Sequence, residues 1–157
     1  MLEKKSTRLE DIMPLIREEL HNGKSVRIYP RGTSMLPMLR EGKDSVVLSK
    51  ISEPLRKYDV VLYQRKNGQY VLHRLVKTRK EYVFLGDNQF EHEYGVEYGQ
   101  MIARVSSFYR ETKKINVNNV CYKIYCHLWY GSRAIRRLWR RGISWMSRRV
   151  FENHAKK

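Results

Sequence analysis

The chain has 157 residues, 41% of them hydrophobic and 31% charged, with a formal net charge of +16. That is enough apolar material for one folded domain, while no uncharged apolar run approaches the roughly 18 residues of a transmembrane helix. The charge is uneven: residues 1–120 hold 22 Lys and Arg against 15 acids (+7), and residues 121–157 hold 10 against 1 (+9), which points the tail toward an anionic partner.

Cys121 and Cys126 match no zinc or redox spacing. Met1 to Arg8 is charged with no apolar run behind it, so no secretory signal is expected. The expected location is cytoplasmic, or peripheral on a membrane.

Taken in order, residues 7–21 read as a helix. Leu9, Ile12, Met13, Ile16 and Leu20 fall at helical spacing, Thr7 and Glu10 fit a capping box, and Asn22-Gly23 is a stop. Pro14 should kink this helix or shift its start. A single helix excludes a helix-turn-helix head. The pattern then turns to strands: Lys24–Tyr29, Ser45–Ser49, Asp59–Tyr63, Gln69–Lys77 after the hairpin turn Lys66-Asn67-Gly68, Tyr82–Leu85, and a final pair near 100–109 and 114–118. The expected fold is mainly β, a β-rich α+β arrangement around a compact antiparallel β domain.

From Val120 the period is helical again. Ile135, Leu138, Trp139, Gly142, Ile143, Met146 and Val150 form a stripe, and Arg136, Arg137, Arg140 and Arg141 lie off it. This is the pattern of a basic interfacial helix, with Ile135, Arg136, Leu138, Trp139, Arg140 and Ile143 as the expected membrane-binding residues. A helix docked on the β domain is the alternative. The expected organisation is a helix over 1–23, a domain over 24–119 and a helical tail over 120–157.

The chemistry centres on Tyr29-Pro30-Arg31-Gly32-Thr33-Ser34-Met35-Leu36-Pro37-Met38-Leu39. Gly32 frees the backbone, Pro37 opposes helix at Leu36, and four apolar residues can anchor the loop on a core. Ser34 thus sits on a held loop, where a nucleophile would be placed, though turn serines are common. Of five histidines, only His73 lies within an expected core strand, on the face of Val71 and Leu75. A neutral imidazole there is suited to a general base, or to a core histidine bonded to a carbonyl. Lys77 is a rival base, about 13 Å along the same strand face and flanked by charge. Asp87, in the Gly86-Asp87-Asn88 turn, or a nearby acid could orient His73.

Three boxes in this order resemble the type I signal peptidase superfamily of serine peptidases, which includes the self-cleaving SOS repressors. They are Gly32-Thr33-Ser34-Met35-Leu36-Pro37-Met38-Leu39, then Asp59-Val-Val-Leu-Tyr63 through Val71-Leu72-His73-Arg74, then Gly86-Asp87-Asn88; the resemblance covers about residues 26–108. The histidine is similar to that of the endoplasmic-reticulum-type branch, where most bacterial members carry lysine. The resemblance implies Ser34 as nucleophile and His73 as general base, with Asp87 structural or orienting and an acid just beyond the third box, Glu91 or Glu93. It also implies an oxyanion and substrate loop around Gly32, Thr33, Met35 and Pro37, and small side chains before the cut.

This chain departs from the family at Gly32, where many members have a hydroxyl, and in its basic tail, and no spanning anchor is expected. No Walker loop, dinucleotide fingerprint or His-Glu-x-x-His helix is present, and neither a cofactor nor a metal is expected. The expected activity is a serine endopeptidase acting on a signal or leader peptide, with an anionic membrane surface as a second partner. The alternatives are a catalytically inactive peptide-binding or membrane-surface module of the same fold and, less favoured, nucleic-acid binding by the tail.

Overall fold

The computed structural model describes residues 8–139, which form two units, one ending at Asn119 and one beginning at Val120. In the first, helix α1 spans Leu9–His21 and buries Met13, Ile16 and Leu20, one side of the expected stripe. Its N-cap is Arg8, in extended geometry and without a side-chain cap; Thr7, the expected capping residue, lies outside the described residues. Pro14 sits inside the helix and leaves the start at Leu9. The helix stops as expected: Asn22 and Gly23 donate back to the Glu18 and Leu20 carbonyls, and Gly23 takes the positive φ of 76° that a helix end favours.

Seven strands form one antiparallel sheet: β1 Val26–Ile28, β2 Ser45–Ser49, β3 Val60–Gln64, β4 Tyr70–Lys77, β5 Val83–Leu85, β6 Met101–Arg110 and β7 Lys113–Asn116. The order is β1-β2-β6-β3-β4-β5, with β7 also on β6. β6 is the spine. Arg104 faces Ser49 of β2 and Val61 of β3, and Phe108 faces Val46 of β2 and Ile115 of β7. Since a strand has two edges, β2 takes one and β3 and β7 share the other. The fold is therefore mainly β with helices at both ends of the sequence. The expected strands are all present, shifted by a residue or two at their ends.

The β3–β4 hairpin carries the site. Asn67-Gly68 makes the turn, with Gly68 at φ 87° and Arg65 N bonded to Gln69 O at 2.9 Å. Residues opposed in an antiparallel pair share a face. Val61 opposes His73 and Tyr63 opposes Val71, so these four and Leu75 point the same way. Leu55, Val61, Tyr63, Val71, Leu75, Phe84 and Val96 form a buried cluster on that side. Each fully buried aliphatic or aromatic side chain there contributes at most about 1.5–3 kcal/mol.

In the second unit, α2 spans Val120–Gly131, and residues 133–139 are helical after a turn at Ser132. Among the described residues no helix is long and apolar enough to cross a membrane.

Candidate active site

Ser34 lies in the turn-rich segment between β1 and β2. Met35, Met38 and Leu39 are buried and pin it, while Ser34 itself is half-buried. Two acids close the loop. Glu41 accepts from Gly32 N at 3.0 Å, and buried Asp44 accepts from Arg40 N, Nε and Nη2, each at 2.9 Å. Those Arg40 bonds hold the Asp44 carboxyl down at about 2, against its burial. Gly32 takes φ 89°, a backbone conformation that glycine adopts without strain.

The Gly86-Asp87-Asn88 turn grips this loop by its backbone. Asn88 N donates to Ser34 O at 2.8 Å, and Asn88 Nδ2 to Thr33 O at 3.2 Å. Gly86 packs so closely that a Cβ there would stand 2.7 Å from Ser34 O. The turn is fixed in its own right by Arg74, which is fully buried and bonds Asp87 twice, Nε to Oδ1 at 2.9 Å and Nη2 to Oδ2 at 2.8 Å. Arg74 follows His73 in β4, so the two point to opposite faces. One strand thereby supplies the candidate base on one side and the anchor of the serine loop on the other.

His73 is 2% exposed. Its Nδ1 is 3.2 Å from the Tyr63 hydroxyl and 3.5 Å from Glu93 Oε2. Tyr63 donates to the same Glu93 oxygen at 2.7 Å, and Arg65 grips Glu93 from Nε and Nη2, both at 2.6 Å. Glu93 reaches this place through an isolated bridge to Phe84, with both N–H groups exchanged at 2.8–2.9 Å. Because Phe84 opposes Leu75, Glu93 falls on the face of His73.

The protonation states follow. Burial alone would raise the Glu93 carboxyl, but its Arg65 and Tyr63 hydrogen bonds outweigh that and hold it below the ordinary value, so it is ionised. Burial, with Glu93 adding to it, pushes the Tyr63 phenol up, so it keeps its proton. Burial lowers His73 to about 4 against the pull of Glu93, so the imidazole is neutral near pH 7. Tyr63 spends its hydrogen on Glu93, and its oxygen then accepts from His73. That assigns the proton to Nδ1 and leaves the Nε2 lone pair open.

Ser34 and His73 line the same cavity of about 200 Å³, together with Gly32, Met35, Leu39, Gln69 and Tyr70. Of the three acids considered for orienting His73, Glu93 is the one in contact with it. Asp87 is bonded to Arg74 and serves the loop, and Glu91 is exposed. The rival base Lys77 is exposed and ion-paired to Glu81 at 3.0 Å. Thr33 and Pro37 are exposed members of the serine loop, and Met35 is one of its anchors. Ile135, Leu138 and Trp139 are exposed in the second unit; Arg140 and Ile143 lie outside the described residues.

Sequence reasoning missed Tyr63 and Arg65. The parity of β3 carried the signal for Tyr63, which sits diagonally from His73 on the same face. No protein-family model matches the chain, and a search of curated proteins returns no match.

Proposed function

We propose that this chain is a serine endopeptidase in which Ser34 is the nucleophile and His73 the general base, held by Tyr63 and Glu93. One observation carries the reading: Ser34 and the buried, neutral His73 line one cavity, and the Nδ1 side of His73 is tied to an ionised carboxylate. The resemblance of the three sequence boxes to the signal peptidase superfamily supports the same roles.

In the proposed reaction Ser34 Oγ attacks the peptide carbonyl carbon as its proton passes to His73 Nε2. The imidazolium that forms is stabilised by Glu93, directly and through the Tyr63 hydroxyl. The proton then goes to the leaving amine, the C–N bond breaks, and an ester remains on Ser34. A water, deprotonated by the same Nε2, attacks the ester carbon; the C–Oγ bond breaks and the imidazolium returns the proton to Ser34 Oγ. The Ser34 N–H is available to the developing oxyanion. β1, the edge strand that leads to the serine loop, offers an extended peptide a strand to pair with, and the family resemblance implies small side chains before the cut, so a signal or leader peptide is the proposed substrate class.

The test is to incubate the protein and its Ser34→Ala form with a mixed peptide library and sequence the new termini. Cleavage by the parent alone is expected. Equal cleavage by both would refute Ser34 as nucleophile, and no cleavage by either would leave a peptide-binding module as the better account.

A further inference from the structure

The helical segment from Val120 to Trp139 carries a feature that the peptidase chemistry does not use. Val120, Ile124, Leu128, Ile135, Leu138 and Trp139 are each between 52% and 70% exposed. The bonds Ser132 N to Leu128 O, 2.9 Å, and Arg136 N to Ser132 O, 3.0 Å, carry helical spacing through the turn at Ser132. At that spacing the six residues fall on one side, whereas Tyr122 and Cys126 lie elsewhere and are buried. The charge is of one sign: the segment holds Lys123, Arg133, Arg136 and Arg137 and no acid, and residues 121–157 as a whole carry 10 basic side chains against 1 acid.

Three occupants would hide such a stripe. A second copy of the chain would set +9 against +9. A nucleic acid would need aromatic faces open among the basic side chains, but Trp129 is covered by the Arg136 guanidinium at 3.6 Å and Trp139 lies on the apolar side. An anionic lipid surface satisfies both halves, since acyl chains take the stripe and headgroups take the cations.

We infer that residues 120–139 are a membrane-surface docking element that lies in the headgroup region of anionic lipid with the stripe facing inward. This is independent of the peptidase reading, because binding is read without any substrate.

The experiment is flotation of the full chain with vesicles of phosphatidylcholine alone and of phosphatidylcholine mixed with phosphatidylglycerol. Binding to the mixed vesicles is expected, falling at least about tenfold as the screening length shortens between roughly 0.05 and 0.5 M salt. Leu128→Asp and Leu138→Asp, both at exposed positions, should each weaken binding about tenfold or more, the loss of one lipid-buried side chain, while keeping the parent's melting temperature. Lys123→Gln with Arg137→Gln should flatten the salt dependence. No binding to either vesicle, or equal binding by the parent and both aspartate variants, would overturn the inference. So would a concentration-dependent dimer, or salt-sensitive binding of an oligonucleotide, that takes the place of vesicle binding.

Discussion

At the scale of single residues, a histidine buried as a neutral base pays for its place at low pH. The His73 value falls from 6.5 to about 4 on folding, so between those limits the unfolded chain binds more protons and stability drops as pH falls. Asp44 and Glu93, whose values are also lowered, add their losses below their ordinary values of 3.8 and 4.5. The decline from pH 6.5 to about 4.5 should therefore flatten in His73→Asn, read by chemical denaturation at each pH. Activity should keep its acid limb near pH 4 rather than 6.5, since His73 works unprotonated. Tyr63→Phe retains the ring, whose centroid lies 4.7 Å from that of Phe84, and removes the hydroxyl that bridges His73 and Glu93. It should lower kcat by about tenfold or more and cost about 1 kcal/mol of stability. Glu93→Gln, which leaves the imidazolium without its counter-charge, should cost kcat on the order of 10²–10⁴-fold.

At the scale of elements, the serine loop is held by a turn that belongs to another part of the sheet. Gly86→Ala would drive a methyl into Ser34 O at 2.7 Å and into Gln89, so the loop or the turn must move. A kcat loss larger than the loss of melting temperature is expected, because the displaced atom belongs to the nucleophile's own peptide. Asp87→Asn should cost more stability, about 3–5 kcal/mol, since it strips charge from a partner of the fully buried Arg74. The strands themselves were legible because Ser45–Ser49 and Gln69–Lys77 alternate or run apolar between turn residues. For Asp87 the sequence left two roles open, structural or orienting. A Gly-Asp-Asn turn reads alike whether its carboxylate meets a histidine or an arginine, and only the β4–β5 register, which opposes Arg74 to Leu85, decides. Glu93 was one of several acids past that turn, and its single bridge to Phe84 closes an irregular loop with no strand pattern of its own.

At the scale of the molecule, a sheet domain that holds a serine, a histidine and a carboxylate is joined in sequence to a basic helical tail. Loop glycine, proline and strand parity made Ser34 and His73 candidates, with a turn serine and a core histidine as the alternatives, and the resemblance of the three boxes is what implied their roles. Tyr63 was signalled only by the parity of β3, and Arg65 not at all, because its partner Glu93 lies 28 positions along the chain. The measurement that bears most directly on the central claim is the mass of the protein itself during turnover. The full chain is mixed with the peptide library, quenched in acid after short intervals, and digested for mass spectrometry. An acyl group esterified to Ser34, present before products reach a steady rate and absent in Ser34→Ala, is the predicted result. Product formation with Ser34 unmodified at every interval, and undiminished in Ser34→Ala, would contradict it.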